Sequence, residues 1–179
     1  MATVLEAWLQ EEAIQRERLA QGVGQGAIEW KNVVQLTGLE IIQGVQQGML
    51  PFASIAKTLD FMLMSVEKGR VIFQGSPGRN HMNPMGTIHG GWFASILDSA
   101  LGCAIHTMLP AGRSYTTTEL SVNLVRALTP AISRVRAEAN VLHCGKQLAT
   151  SEAKLVGPDG KLYAHATTTC LVFESTART

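Results

Sequence analysis

One apolar stretch constrains this chain more than any other: Gly90 to Leu109, GGWFASILDSALGCAIHTML. Between Asn83 and Pro110 the single formally charged side chain is Asp98. About 20 residues of helix rise about 30 Å, enough to cross a bilayer. A carboxylate near the middle would cost about 2.5–3.5 kcal/mol on insertion scales, however. The stretch is also dotted with Ser, Thr, Gly and His. The pattern predicts a long helix buried inside a protein, with no membrane span.

Asp98 is then the residue that needs an explanation. It lies about two turns into the helix, where it cannot cap. Ionised and unpaired, it would cost several kcal/mol to bury. It must therefore be protonated, hydrogen-bonded or turned toward a cleft. One reading is an Asp bonded to Ser or Thr hydroxyls in a dimer seam; the other is a functional carboxylate. The neighbours favour the second. Asp98 shares its helical face with the mostly small Gly91, Ala94, Ser95, Gly102 and Ile105, whereas Phe93, Ile96, Leu97, Ala100, Ala104 and Met108 make a bulkier surface suited to a sheet. Small residues beside an acid leave room for a ligand or for a close partner helix.

The rest of the chain reads as β-rich. KTLDFMLMSVEKGRVIFQG, from Lys57, predicts two strands turned at Glu67-Lys68-Gly69. After the helix, SYTTTELSVNLVRAL, ISRVRAEANVLHC and KQLATSEAKLV predict three strands, and GPDG (Gly157 to Gly160) turns the chain into a fourth, KLYAHATTTCLVF. The expected class is α+β: one long helix wrapped by a single antiparallel sheet. Upstream, Val4, Leu5, Trp8, Leu9, Ile14 and Leu19 have amphipathic spacing, expected of a packing or interface helix rather than a membrane anchor. Its acidic residues do not suit a secretory leader. Thr37-Gly-Leu-Glu40 predicts a capped helix ending near Gly48. GVGQGA (Gly22 to Ala27) reads as a flexible break, since no strand precedes it as a dinucleotide fingerprint would require. The organisation is a helical extension over 1–52 and one domain over 53–179.

Composition narrows the function classes. Of 179 residues, 46% are hydrophobic and 16% charged, where about 25% charged is usual. A disordered chain is excluded. The net charge of +1, without a basic run, gives no footprint for nucleic acid. So poorly charged a surface points to self-association. Cys103, Cys144 and Cys170 are odd in number and lack C-x-x-C spacing, so neither a disulfide framework nor a zinc ribbon is expected, and a reducing cytoplasm fits. No metal is expected, because His81, His89, His106, His143 and His165 lack ligand spacing. Cys144 follows His143 directly, and adjacent strand residues face opposite sides, so they do not form a thiolate pair.

The helix begins at His89-Gly90-Gly91, where free backbone N–H groups and the positive end of the helix dipole can polarise an oxygen. A carboxylate and an oxyanion site are the parts that acyl-transfer hydrolysis uses. Gly90 and Asp98 are eight residues apart, hence about 12 Å along one axis. One reacting carbon cannot touch both. If both serve one substrate they come from different chains, as two antiparallel copies of the helix around a two-fold axis would allow. For His89, holding the loop is favoured over proton transfer.

The chain resembles the hotdog-fold acyl-CoA thioesterases of the phenylacetate-degradation group. The resemblance rests on Asn83-Pro-Met-Gly-Thr-Ile-His89-Gly90-Gly91, on Asp98 within ILDSALG and on Thr117-Thr-Glu-Leu-Ser-Val-Asn-Leu-Val-Arg126, and it runs from about Thr58 to Phe173. It implies a hotdog fold, dimers paired into tetramers, and no cofactor. It places Asn83 and the Gly90 N–H on the thioester carbonyl, with the carboxylate, here Asp98, supplied by the other subunit. A Ser or Thr on the strand after the helix assists; one alignment gives Thr117 and a gapless count gives Thr116. Arg126, Arg134 and Arg136 are candidates for coenzyme A phosphates on charge alone.

The expected activity is hydrolysis of an aryl- or medium-chain acyl-CoA, with Asp98 activating water or attacking directly. The rivals are a hotdog hydratase or dehydratase, whose P-H-F-P-G type motif is missing, and a non-catalytic acyl-CoA-binding regulator. Such regulators carry a DNA-binding helix-turn-helix, whereas the first thirty residues here hold five acidic and two basic side chains.

Overall fold

A computed structural model describes residues 2–175. In chain order the elements are α1 (Val4–Gln21), α2 (Gly38–Gln46), α3 (Ser54–Thr58), β1 (Phe61–Glu67), β2 (Arg70–Gly75), α4 (Gly90–His106), β3 (Arg113–Leu124), β4 (Val135–Cys144), β5 (Leu148–Val156) and β6 (Leu162–Glu174). The six strands form one sheet in the order β1-β2-β4-β5-β6-β3, with every neighbouring pair antiparallel. The expected helix, hairpins and turns are present. Gly69 takes φ 78° in the β1–β2 turn, as that tight connection requires.

α4 runs through the middle of the sheet. Phe93, Ile96, Leu97, Ala100, Leu101 and Ala104 are all 2% exposed or less. They pack against inward residues of the strands such as Val71, Val135, Ala137 and Leu155. Burying one large aliphatic side chain contributes about 1.5–3 kcal/mol, so this face fixes the helix within the sheet. No described helix is long and apolar enough to cross a membrane.

Two expectations need correction. Lys57 and Thr58 are not strand residues; they end the short helix α3, and β1 begins at Phe61. Between them Asp60 has φ 50°, a left-handed turn that Asp tolerates better than most residues. The second correction concerns α1. Its N-terminal capping box (Thr3 with Glu6) is formed, but its apolar residues divide: Val4, Leu9 and Ile14 are 52%, 40% and 56% exposed, while Leu5, Trp8 and Leu19 are half-buried. The buried residues of α1 are polar, Glu12 and Gln15.

Glu12 explains the docking. One carboxylate oxygen accepts from Arg16 Nε at 2.7 Å and Arg134 Nη2 at 3.0 Å. The other accepts from Gln74 Nε2 at 2.7 Å and from Arg134 Nε. Beside it, Arg136 pairs with Glu11, donates to Gln74 Oε1 at 2.8 Å and lies 4.4 Å over the Trp8 ring. Arg134 and Arg136, read from the sequence as candidates for phosphate, are thus committed to α1. Gln15 extends the attachment: its Nε2 donates to the Gln46 carbonyl at 2.7 Å, and Gln46 Nε2 donates to the Met64 carbonyl at 2.7 Å, tying α1 through α2 to β1. At the end of α1 a Cβ on Gly22 would lie 2.5 Å from the Gly48 carbonyl oxygen, so that crossing needs glycine.

Burial pushes the Glu12 carboxyl up, but the bonds from Arg134, Arg16 and Gln74 outweigh it and hold the group below its ordinary value. Such a carboxylate contributes stability above the ordinary value of 4.5, and that contribution is lost as pH falls through the lower folded value. Glu12→Gln should therefore release α1 at neutral pH, on the order of 3 kcal/mol of docking, since it leaves a guanidinium unpaired. Hydrogen-exchange protection across α1 should drop in the variant while β4–β6 stay protected. The difference from wild type should shrink in acid. Equal protection of α1 in both proteins at neutral pH would contradict this account.

Candidate active site

The sheet leaves one stripe of α4 uncovered. Ala94, Ser95, Asp98, Ser99, Cys103 and His106 are only partly buried, while the residues between them are enclosed. The Ser95 and Ser99 hydroxyls donate back to the carbonyls of Gly91 and Ser95, each at 2.8 Å, and so leave Asp98 to another partner. That partner is Thr117, whose Oγ1 donates to Asp98 Oδ1 at 3.1 Å.

β3 makes this contact through a register break. Against β6, Thr117 pairs with Cys170 and Glu119 with Thr169, so Thr118 is a bulge. Before the bulge the odd residues Tyr115 and Thr117 face α4; after it the even residues Leu120 and Val122 pack on the core. A bulge re-aims side chains in this way. Of the two hydroxyls left open by sequence, Thr116 lies exposed on the other face and Thr117 meets the acid.

Around the pair, other titratable groups are kept neutral. Burial, aided by the charge of Asp98, pushes the Cys103 thiol up to about 12. Burial, then Cys103, Cys170 and Asp98, hold the Tyr115 phenol well above its usual range. Cys170 is raised too, chiefly by burial. His106 is pushed down to about 4 by burial. Neither Cys103 nor Cys170 is held as a thiolate here.

A second group of residues gathers at the start of α4. Asn83 organises the preceding loop: its Oδ1 accepts from the Met85 N–H at 2.9 Å and the Thr87 N–H at 3.3 Å, and its Nδ2 donates to Thr87 Oγ1 at 2.9 Å. His89 caps the helix, with Nδ1 accepting from the Gly91 N–H at 2.9 Å. Gly90 opens the first turn, and its N–H has no partner among the described residues. A single chain thus joins Asp98 to Thr117 and gathers Asn83, His89 and Gly90, but the unbroken α4 holds the two groups about 12 Å apart. His143 and Cys144 follow a register shift in β4 and belong to neither group. No cluster of three or more metal-ligating side chains occurs among the described residues.

A cavity of about 820 Å³ opens beside Asp98, Ser99, Cys103, Tyr115 and Thr117. It continues past Ile42 and Val45 of α2 and Ala56 of α3 to residues 19–28, at the end of α1 and just beyond it. Sequence reasoning missed these walls. Leu19 reads in sequence as part of an amphipathic stripe and Ile28 carries no signal of its own, and nothing local says that they line a cavity reaching Asp98.

The model of the Thioesterase superfamily matches residues 85–164, which contain α4, Asp98 and most of the sheet. The chain has the hotdog fold, and its stretch 85–164 is similar to that thioesterase model. Among solved structures, this chain is similar to a phenylacetic acid degradation-related protein from Ralstonia eutropha, at 25% identity, 72% of this chain, 97% of that one and TM-score 0.66. It is similar as well to the phenylacetic acid degradation protein of Thermus thermophilus, at 25% identity, 65% of this chain, 96% of that one and TM-score 0.59. A conserved protein from Pseudomonas aeruginosa is 26% identical, over 68% of this chain and 95% of its own, with TM-score 0.64. No curated protein matches the chain in sequence.

Gly102 lets Tyr115 reach α4, since a Cβ there would lie 2.5 Å from the phenol oxygen. Gly102→Ala should displace Tyr115 and destabilise the domain by about 1–3 kcal/mol, an overpacking cost. A denaturant midpoint equal to wild type would show that the phenol moves freely.

Proposed function

We propose that this thioester hydrolase acts on acyl-CoA, releasing a carboxylic acid and free coenzyme A, in a site shared between two copies of the chain. The observation that carries the reading is the Thr117–Asp98 hydrogen bond at the wall of a large apolar cavity. Two structural neighbours, a phenylacetic acid degradation protein and a related protein, fit an acyl substrate.

Asp98 takes a proton from water, whose oxygen bonds to the thioester carbonyl carbon. Thr117 holds the carboxylate so that its free oxygen faces the water. The carbonyl electrons move to oxygen and are stabilised by the partner copy's Gly90 N–H at the helix start, with Asn83 holding the loop that presents it. The intermediate collapses, the carbon–sulfur bond breaks, and the thiolate leaves as the thiol after taking the proton from Asp98. His89 keeps the first turn of α4 in place.

Sharing follows from α4, because its straight run separates the two halves of the machinery in one chain. β3 supports it. It is an edge strand twelve residues long with one flank unpaired, a surface on which a second copy can continue the sheet. The dimer of dimers expected from the resemblance would build on that unit.

Asp98→Asn should lower kcat by 10²–10⁴-fold, the usual range for losing a general base, and leave the fold intact. Free-thiol release from acyl-CoAs is the assay, and full activity would refute the assignment. Gly90→Pro removes one N–H donor and should cost about 10²–10³ in rate. Mixing Asp98→Ala with Gly90→Pro chains should restore one working site per mixed dimer. Binding of several acyl-CoAs without turnover would favour a regulator instead.

A further inference from the structure

The cavity beside Asp98 is lined on one side by a segment that lies before the strands and α4. Leu19, Ala20 and Ile28 line it, with Gly22, Gly24 and Gly26 between them. Leu19, Ala20 and Ile28 are apolar, as are Ile42, Val45 and Ala56, while Arg16, Gln25, Lys57 and Asp60 add polar and charged groups to the lining. The chamber is also large. A cavity of about 150 Å³ suffices for a benzene ring, so a lone aryl acyl group would leave most of 820 Å³ empty. An acyl group whose carbonyl lies at Asp98 has an apolar path to residues 19–28 only if it is long and flexible.

The wall is placed by attachments independent of the cavity. Glu12 and Gln15 fix α1 to β2, Arg134 and α2. Arg16 Nη2 reaches Asp60 Oδ1 at 2.8 Å, bringing the end of α1 against the α3–β1 turn at the cavity rim. Val23 then donates its N–H to the Gly48 carbonyl at 3.0 Å, and Gly26 to the Phe52 carbonyl at 3.0 Å, so the glycine-rich connection is pinned rather than loose.

We propose that residues 19–28 form the end wall of the acyl chamber and make this thioesterase selective for extended aliphatic acyl chains over aryl and short acyl groups. The proposal rests on the acyl-CoA reading above. The tail lies against Leu19, Ala20 and Ile28, and chain length is read by how far that wall stands from Asp98.

The test compares acetyl-, octanoyl-, palmitoyl- and phenylacetyl-CoA with wild type and with Leu19→Trp and Ala20→Trp, the second at an exposed helix position that tolerates a large side chain. Wild type should show kcat/KM for octanoyl- or palmitoyl-CoA well above that for acetyl- and phenylacetyl-CoA. Each Trp variant should lower the long-to-short ratio about tenfold or more, the scale on which apolar pockets discriminate by size. Calorimetric binding of the same four compounds to Asp98→Asn, alone and combined with each Trp, gives a second readout without turnover. Ratios within about twofold of wild type in both folded variants would overturn the inference, as would a preference for phenylacetyl-CoA. Binding of long chains that the Trp variants weaken, with no hydrolysis by wild type, would overturn the hydrolytic reading and keep the wall. Neither binding nor hydrolysis of any compound would overturn both.

Discussion

A sheet of six strands wraps α4 on every side but one, and that incomplete wrapping governs the rest of the molecule. The covered side is filled by Phe93, Ile96, Leu97, Ala100, Leu101 and Ala104, whose burial holds the helix in place. The uncovered side carries Ser95, Asp98, Ser99 and Cys103 at helical spacing. A carboxylate can sit mid-helix because this stripe gives it a hydroxyl partner and a cavity instead of a packed core. The same packing keeps α4 straight, and straightness keeps Asp98 and Gly90 apart. The shared site proposed above rests on that separation.

Much of this was legible in the sequence because the signals were local. The Thr37–Glu40 capping box forms as expected. The turns at Gly69 and Gly157–Gly160 obey the backbone preferences of glycine, and α4 follows its apolar run to within a turn. The hotdog architecture follows from the order of strands and helix together with the motif around Gly90. Asp98 stood out since nothing else near it is charged.

What was not legible depended on distant partners. The side-chain phase of β3 switches at Thr118, and a bulge of one residue leaves no mark in a run of Thr and Ser. The choice between Thr116 and Thr117 therefore waited on the pairing with β6. α1 shows the same limit more sharply. Its apolar spacing suggested a greasy docking face, whereas Glu12 and Gln15 face inward because Gln74, Arg134 and Gln46 wait there. A period of apolar residues cannot reveal that the receiving surface is polar. Arg134 and Arg136 were misread for the converse reason, since charge alone does not distinguish a ligand's phosphate from a glutamate of the same chain.

The division of labour within the N-terminal segment follows from these contacts. Polar groups locate it, and its apolar groups at Leu19 and Ile28 face the cavity instead of the core. An apolar wall facing an unfilled cavity lacks the dispersion contacts that a packed one has. An acyl chain that filled the space would supply them, so it would bind best when the segment is docked. By linkage, the ligand must then favour the docked state by the same factor. Glu12 would then act at a distance from the acid it serves, by setting how often the far wall of the chamber is in place.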